Sequence, residues 1–136
     1  MNEAQIYRLL EERLAALSPA IPIIWQGKTP PKDFNEKLPY CKAFVMPARP
    51  RTLGLREKTT IHIGFLQVSL CYPTGKGKAA IDAQAVAVQE FFPAGLKLRS
   101  SGESAAVQVR GKPYIAPPTN DAPLVVPVTI SYQCIF

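Results

Sequence analysis

Thr59–Tyr72, TTIHIGFLQVSLCY, is the run that sets the architecture. β-branched and aromatic residues fill it almost throughout and no proline interrupts it, which predicts a strand. At about 3.3 Å per residue it is longer than the usual strand of roughly 3 to 10 residues. Either Gly64 bends it, or one end projects from the body.

The neighbouring segments extend the same pattern. Residues 40–46 predict a second strand, closed by Pro47 and Pro50. Residues 21–25 predict a short one, which Pro22 marks as an edge or a strand start. At the N-terminus, Ile6, Leu9, Leu10, Leu14 and Leu17 recur at helical spacing, and Asn2 with Gln5 supplies an N-cap and N3 pair. After Tyr72 the chain turns through "YPTGKGKAA" (residues 72–80), and Ile81, Ala85, Val88 and Phe92 then mark one face of a second helix that ends at residues 93–95. Strands follow at 96–98, 105–109 and 124–136. The short connections imply an α+β domain over residues 1–136: a mixed, mostly antiparallel β-sheet with two α-helices packed on it.

Composition bounds the function. The chain has 136 residues, 47% apolar and 19% charged, with a net charge of +6. A chain of this length buries roughly two thirds of the surface it exposes when unfolded, enough for a core without staples. No window reaches the roughly 18 apolar residues of a membrane helix, and the N-terminus opens on a polar helix where a signal peptide has its apolar region, so the chain reads as cytoplasmic with no membrane partner. Cys41, Cys71 and Cys134 lie singly in apolar runs, which points to reduced, buried thiols and to neither a metal site nor a redox pair.

The glycine–lysine turn raises the question of a phosphate site. The P-loop pattern fails, because Gly75 and Gly77 are too close together and Ala79 follows Lys78 where a hydroxyl is needed. The dinucleotide fingerprint fails on context, since it needs successive parallel strands joined by helices. The turn therefore reads as a chain reversal, with Lys76 and Lys78 available to an anionic surface. His62, the single histidine, shares strand parity with Gly64, Leu66 and Val68 and reads as packed; a hydrolase dyad with Cys41 or Cys71 lacks any orienting third group. The carboxylates are scattered, so no catalytic, cofactor or metal residue is assigned. Tyr40, Phe44 and Phe65 read as core aromatics. The basic segment 48–58 joins two strands as a hairpin loop or as an arm, with Arg49, Arg51, Arg56 and Lys58 as charges and Leu53 and Leu55 as apolar anchors for a neighbouring subunit or for nucleic acid.

Four pieces then bear on family: "IPIIWQG" (21–27), "YCKAFVMPA" (40–48), "GFLQVSLCYPTGKGKAAIDAQAVAVQEFFPAGLKL" (64–98), and a last strand running to the C-terminus. Their order resembles the tail terminator proteins of tailed phages and prophages, also called minor tail or tail completion proteins. The resemblance implies a structural protein of the virion tail, assembled in the host cytoplasm. It implies a hexameric ring that caps the tail tube, ends polymerisation of the major tail tube protein, and offers its other face to a head–tail joining protein, with DNA passing through the lumen. No enzymatic residue or cofactor comes with it. The composition leaves a small basic nucleic-acid-binding module as the alternative.

Overall fold

The computed structural model describes residues 2–17, 22–27, 39–53, 59–72, 78–118 and 124–136. Among them are two helices, α1 (Glu3–Ala15) and α2 (Lys78–Phe91), and eight strands: β1 (Ile23–Trp25), β2 (Tyr40–Pro47), β3 (Arg51–Leu53), β4 (Thr59–Tyr72), β5 (Lys97–Leu98), β6 (Val107–Val109), β7 (Tyr114–Ile115) and β8 (Leu124–Ile135). The strands form one sheet in the order β1-β2-β4-β8-β6-β5, with β3 on β4 and β7 on β8. Only β1 and β2 pair in parallel. The α+β reading holds, as does the mostly antiparallel sheet with both helices packed against it.

The long strand keeps its full length because it has partners along all of it. β2 covers Gly64 to Cys71, β3 covers Thr59 to Ile61, and β8 runs beside Ile61 to Tyr72. The backbone of Phe136 exchanges both of its hydrogen bonds with Thr60, at 3.0 and 3.1 Å. Within the described residues, then, the start of β4 is paired rather than projecting. Segment 48–58, expected as a loop or arm, contributes β3 to the sheet, and the proline-rich region 113–123 contributes β7.

Alternation puts Leu66, Val68 and Leu70 of β4 and Val126, Val128 and Ile130 of β8 on one face. They form one core cluster with Ile6, Leu10 and Leu14 of α1, Ile81 and Val88 of α2, and Phe92 just beyond it. The helices therefore share a single layer. Asn2 caps α1 as expected: its Oδ1 accepts from the Gln5 N–H at 2.9 Å, while the Asn2 N–H donates to Gln5 Oε1 at 2.7 Å. Arg13 then locks the layer, donating from Nε and Nη2 to the Phe91 carbonyl at the end of α2, with its guanidinium 3.9 Å from the centroid of the Phe91 ring. Gln26 extends the short β1 edge by accepting the Val45 N–H on its side-chain oxygen at 3.1 Å.

Pro127 interrupts no ladder although β8 is an inner strand. Its carbonyl accepts from Ala116 on the β7 side, so its missing N–H also points there and away from β4.

Candidate assembly surface

Among the described residues, the other face of the sheet carries no helix. Phe65, Gln67 and Ser69 of β4 alternate with the core residues, and the register continues their rows across the sheet: Met46, Phe65 and Ser131 in one, Phe44, Gln67 and Thr129 in the next. Phe65 is 42% exposed, Met46 39%, Ile135 47% and Tyr114 63%. The expectation that Phe65 belongs to the core is corrected here. Its odd parity on β4 turns it from the helices, whereas its neighbour Leu66 is fully buried.

Cations rim this apolar centre. Lys42 faces it opposite Ser69, Arg51 opposite Ile61, and Lys97 opposite Gln108. Arg99 joins Lys97 beside a hollow of about 210 Å³ that Gln133 and Ile135 also line. Arg110 borders a groove of about 510 Å³ with Phe65, Gly64 and Ser131. None of the eight strands contains Asp or Glu. An apolar centre bearing aromatic and Met side chains inside a polar, Arg-bearing rim has the anatomy of a protein interface.

The residues singled out in the sequence fall around this surface unevenly. Arg49 and Arg51 are exposed where β2 passes into β3, Leu53 lies in β3 with its backbone paired to Thr59, and Lys78 is the first residue of α2. Leu55, Arg56, Lys58 and Lys76 lie outside the described residues. Met46, Phe65, Arg110, Lys97 and Arg99 were not singled out as surface residues in the sequence. The signal that finds them is strand alternation combined with the knowledge that both helices share one side.

Neither expected dyad, His62 with Cys41 or with Cys71, is brought together: both thiols lie toward the far end of β4, and the thiol opposite His62 across the sheet is Cys134. Cys41, Cys71 and Cys134 are buried and free of disulfides. Burial pushes the Cys41 thiol up to about 12, with nearby Cys71 adding to it, and burial raises Cys71 and Cys134 as well. His62 stacks on Phe136 at 4.0 Å and 8°, and its Nδ1 lies 3.6 Å from Glu3 Oε1. It is separated from Cys71 by most of β4, roughly 30 Å at strand rise. The enclosed cavity between helices and sheet, lined by Leu14, Cys41, Leu70, Gln84 and Val88, measures about 30 Å³. That is room for about one water, far short of a ligand site.

A family model described as phage tail terminator protein matches residues 5–132. The chain belongs to the phage tail terminator family. The matched region takes in α1 from Gln5 onward, all of α2, the core rows of the sheet, and Lys42, Arg51, Lys97, Arg99 and Arg110. A solved structure is similar to this terminator over 100% of the chain and 97% of its own length, at 30% identity and a TM-score of 0.76. No curated protein matches it. Membership gives the chain a structural role in a phage tail, in the company of other tail proteins. Among the described residues no helix is long and apolar enough to cross a membrane.

Proposed function

We propose that the chain, acting as one terminator domain over residues 1–136, closes with copies of itself into a ring on the end of the tail tube. There it stops addition of the major tail tube protein and presents its far side to a head–tail joining protein. Its activity is the geometry of association rather than a chemical step. It works in the virion tail, after assembly in the host cytoplasm.

The observation that carries this reading is the terminator family match across residues 5–132. The helix-free face supports it, because exposed Phe65 and Met46 inside a basic rim need a covering partner. The basic arm with Arg49, Arg51 and Leu53 is proposed as a further contact with a neighbouring subunit, and Lys78 as an anion contact at the start of α2. Head-to-tail contacts that close produce rings, and those that do not close produce filaments.

The test is to incubate purified protein with preformed tail tubes and image the ends by negative stain. One ring at a single end of each tube is the expected result. Protein bound along tube walls, or no binding to ends at any concentration, removes the proposal.

One observation favours a second reading, a nucleic-acid-binding module: five cations on a face whose described strands contain no Asp or Glu. That reading requires duplex DNA affinity that falls steeply as salt rises. No binding at about 50 mM salt removes it.

A further inference from the structure

The described helices are acidic on balance, five carboxylates against Arg8, Arg13 and Lys78, and the strands are basic. Of the acidic residues described, Glu3, Glu11, Glu12, Asp82 and Glu90 sit on the helices, and only Glu103 lies elsewhere. The strands hold bases alone, and on α1 the exposed Glu12 also lies 3.7 Å from Arg8 one turn before it. Each layer also exposes apolar surface: the sheet through Phe65 and Met46, and the helical layer through Val86 of α2, which is 42% exposed on the outward side with Ala83 one turn before it and Glu90 one turn after it. The Arg13–Phe91 contact brings the part of α1 bearing Glu12 beside the end of α2 bearing Glu90.

We infer that the open sheet face of one copy receives the helical layer of the next copy, with Val86 against the Phe65–Met46 patch and Glu12 and Glu90 facing Lys42 and Arg110. This rests on the ring reading and specifies its subunit contact. Charge complementarity selects the occupant. Two sheet faces packed together by a two-fold axis set cation against cation, whereas sheet on helices sets base against acid. The contact uses different surfaces on the two copies and is therefore head-to-tail, the type that closes into rings. A nucleic acid fits the rim but not the centre, since a phosphodiester backbone leaves Phe65, Met46 and Ile135 uncovered.

The experiment is a charge swap in the full chain. One variant carries Lys42→Glu with Arg110→Glu, the other Glu12→Lys with Glu90→Lys. All four positions are exposed, and thermal unfolding checks the fold of each variant. If a reversed pair fails to fold, the neutral pair Lys42→Gln with Arg110→Gln gives the same reading through its lost salt dependence.

In sedimentation velocity from micromolar to millimolar concentration, each variant alone needs at least ~10-fold more protein than the parent chain to assemble at low salt. An equimolar mixture recovers parental assembly, because an acidic sheet then meets basic helices at one joint and the parental charges meet at the next. Variants that assemble like the parent, or a mixture that rescues nothing, overturn this contact while the ring reading stands. A parent chain that stays monomeric with and without tube ends removes the ring reading itself. Loss of duplex DNA binding in the sheet variant with assembly intact assigns the face to nucleic acid and also overturns the inference.

Discussion

Gly64 and Tyr132 face each other across β4 and β8, and a Cβ on Gly64 would lie 2.6 Å from the Tyr132 hydroxyl. The same Cβ would meet the Met46 carbonyl at 2.7 Å and the Pro47 Cα at 2.9 Å, both backbone atoms that cannot swing aside. The glycine is there for close approach of three strands rather than for a bend. Gly64→Ala is expected to cost about 1–3 kcal/mol, the range for forcing atoms into a packed site. Tyr132→Phe in that background relieves one of the three contacts and restores part of the loss. Urea unfolding of both variants checks this, and an unchanged midpoint in Gly64→Ala removes the close-approach account.

Arg13 makes two hydrogen bonds to one carbonyl and covers an aromatic ring, so its removal frees α1 from the end of α2. Arg13→Ala is expected to cost about 1.5–3 kcal/mol, the scale of a hydrogen bond to a charged group. Arg13→Lys recovers little, because an ammonium lacks the planar fork. Thermal melts of the two variants decide it, and a lysine variant as stable as the parent contradicts the two-bond geometry.

Stability should fall on the alkaline side. Cys41 and Tyr132 are each pushed up to about 12, from ordinary values of 9.0 and 10.0, chiefly by burial. Their neutral forms are favoured in the folded state, so the contribution is whole below about pH 9 and drains away as pH climbs toward 12. The unfolding midpoint should hold steady through neutral pH and drop across that window, with Cys41→Ala softening the early part of the drop. The same burial makes all three thiols slow toward a thiol reagent until the protein unfolds. Rapid labelling of native Cys41 contradicts the packing.

Adjacent residues of β4 should behave oppositely. Leu66→Ala opens the core and is expected to cost about 2–5 kcal/mol. Phe65→Ser, on the face without helices, should leave the fold within about 0.5 kcal/mol of the parent, as exposed substitutions do, while weakening assembly. Calorimetry beside sedimentation separates the two effects. A Phe65→Ser variant that unfolds like Leu66→Ala makes the open face a core.

What was readable in the chain follows from locality. β4 begins and ends where composition placed it, since propensity, length and absent prolines agree over 59–72. The Asn2–Gln5 cap was equally plain, both partners lying within one turn. β3 and β7 were missed because each is two or three residues long beside prolines and takes its order from β4 or β8. The parallel pairing of β1 with β2, and Arg13 reaching Phe91, depend on contacts far apart in sequence. Phe65 was misassigned because alternation shows that a strand has two faces without saying which one the helices cover. The open basic face came into view only when both helices proved to lie on one side.

The central claim is that the protein ends tube growth by capping. The most direct measurement is the length distribution of tail tubes polymerised from major tail tube protein with and without the purified chain. The account predicts that adding the chain during growth gives tubes that stop lengthening, each with one capped end, while tubes without it continue to extend. Tubes that reach the same lengths whether or not the chain is present would contradict it.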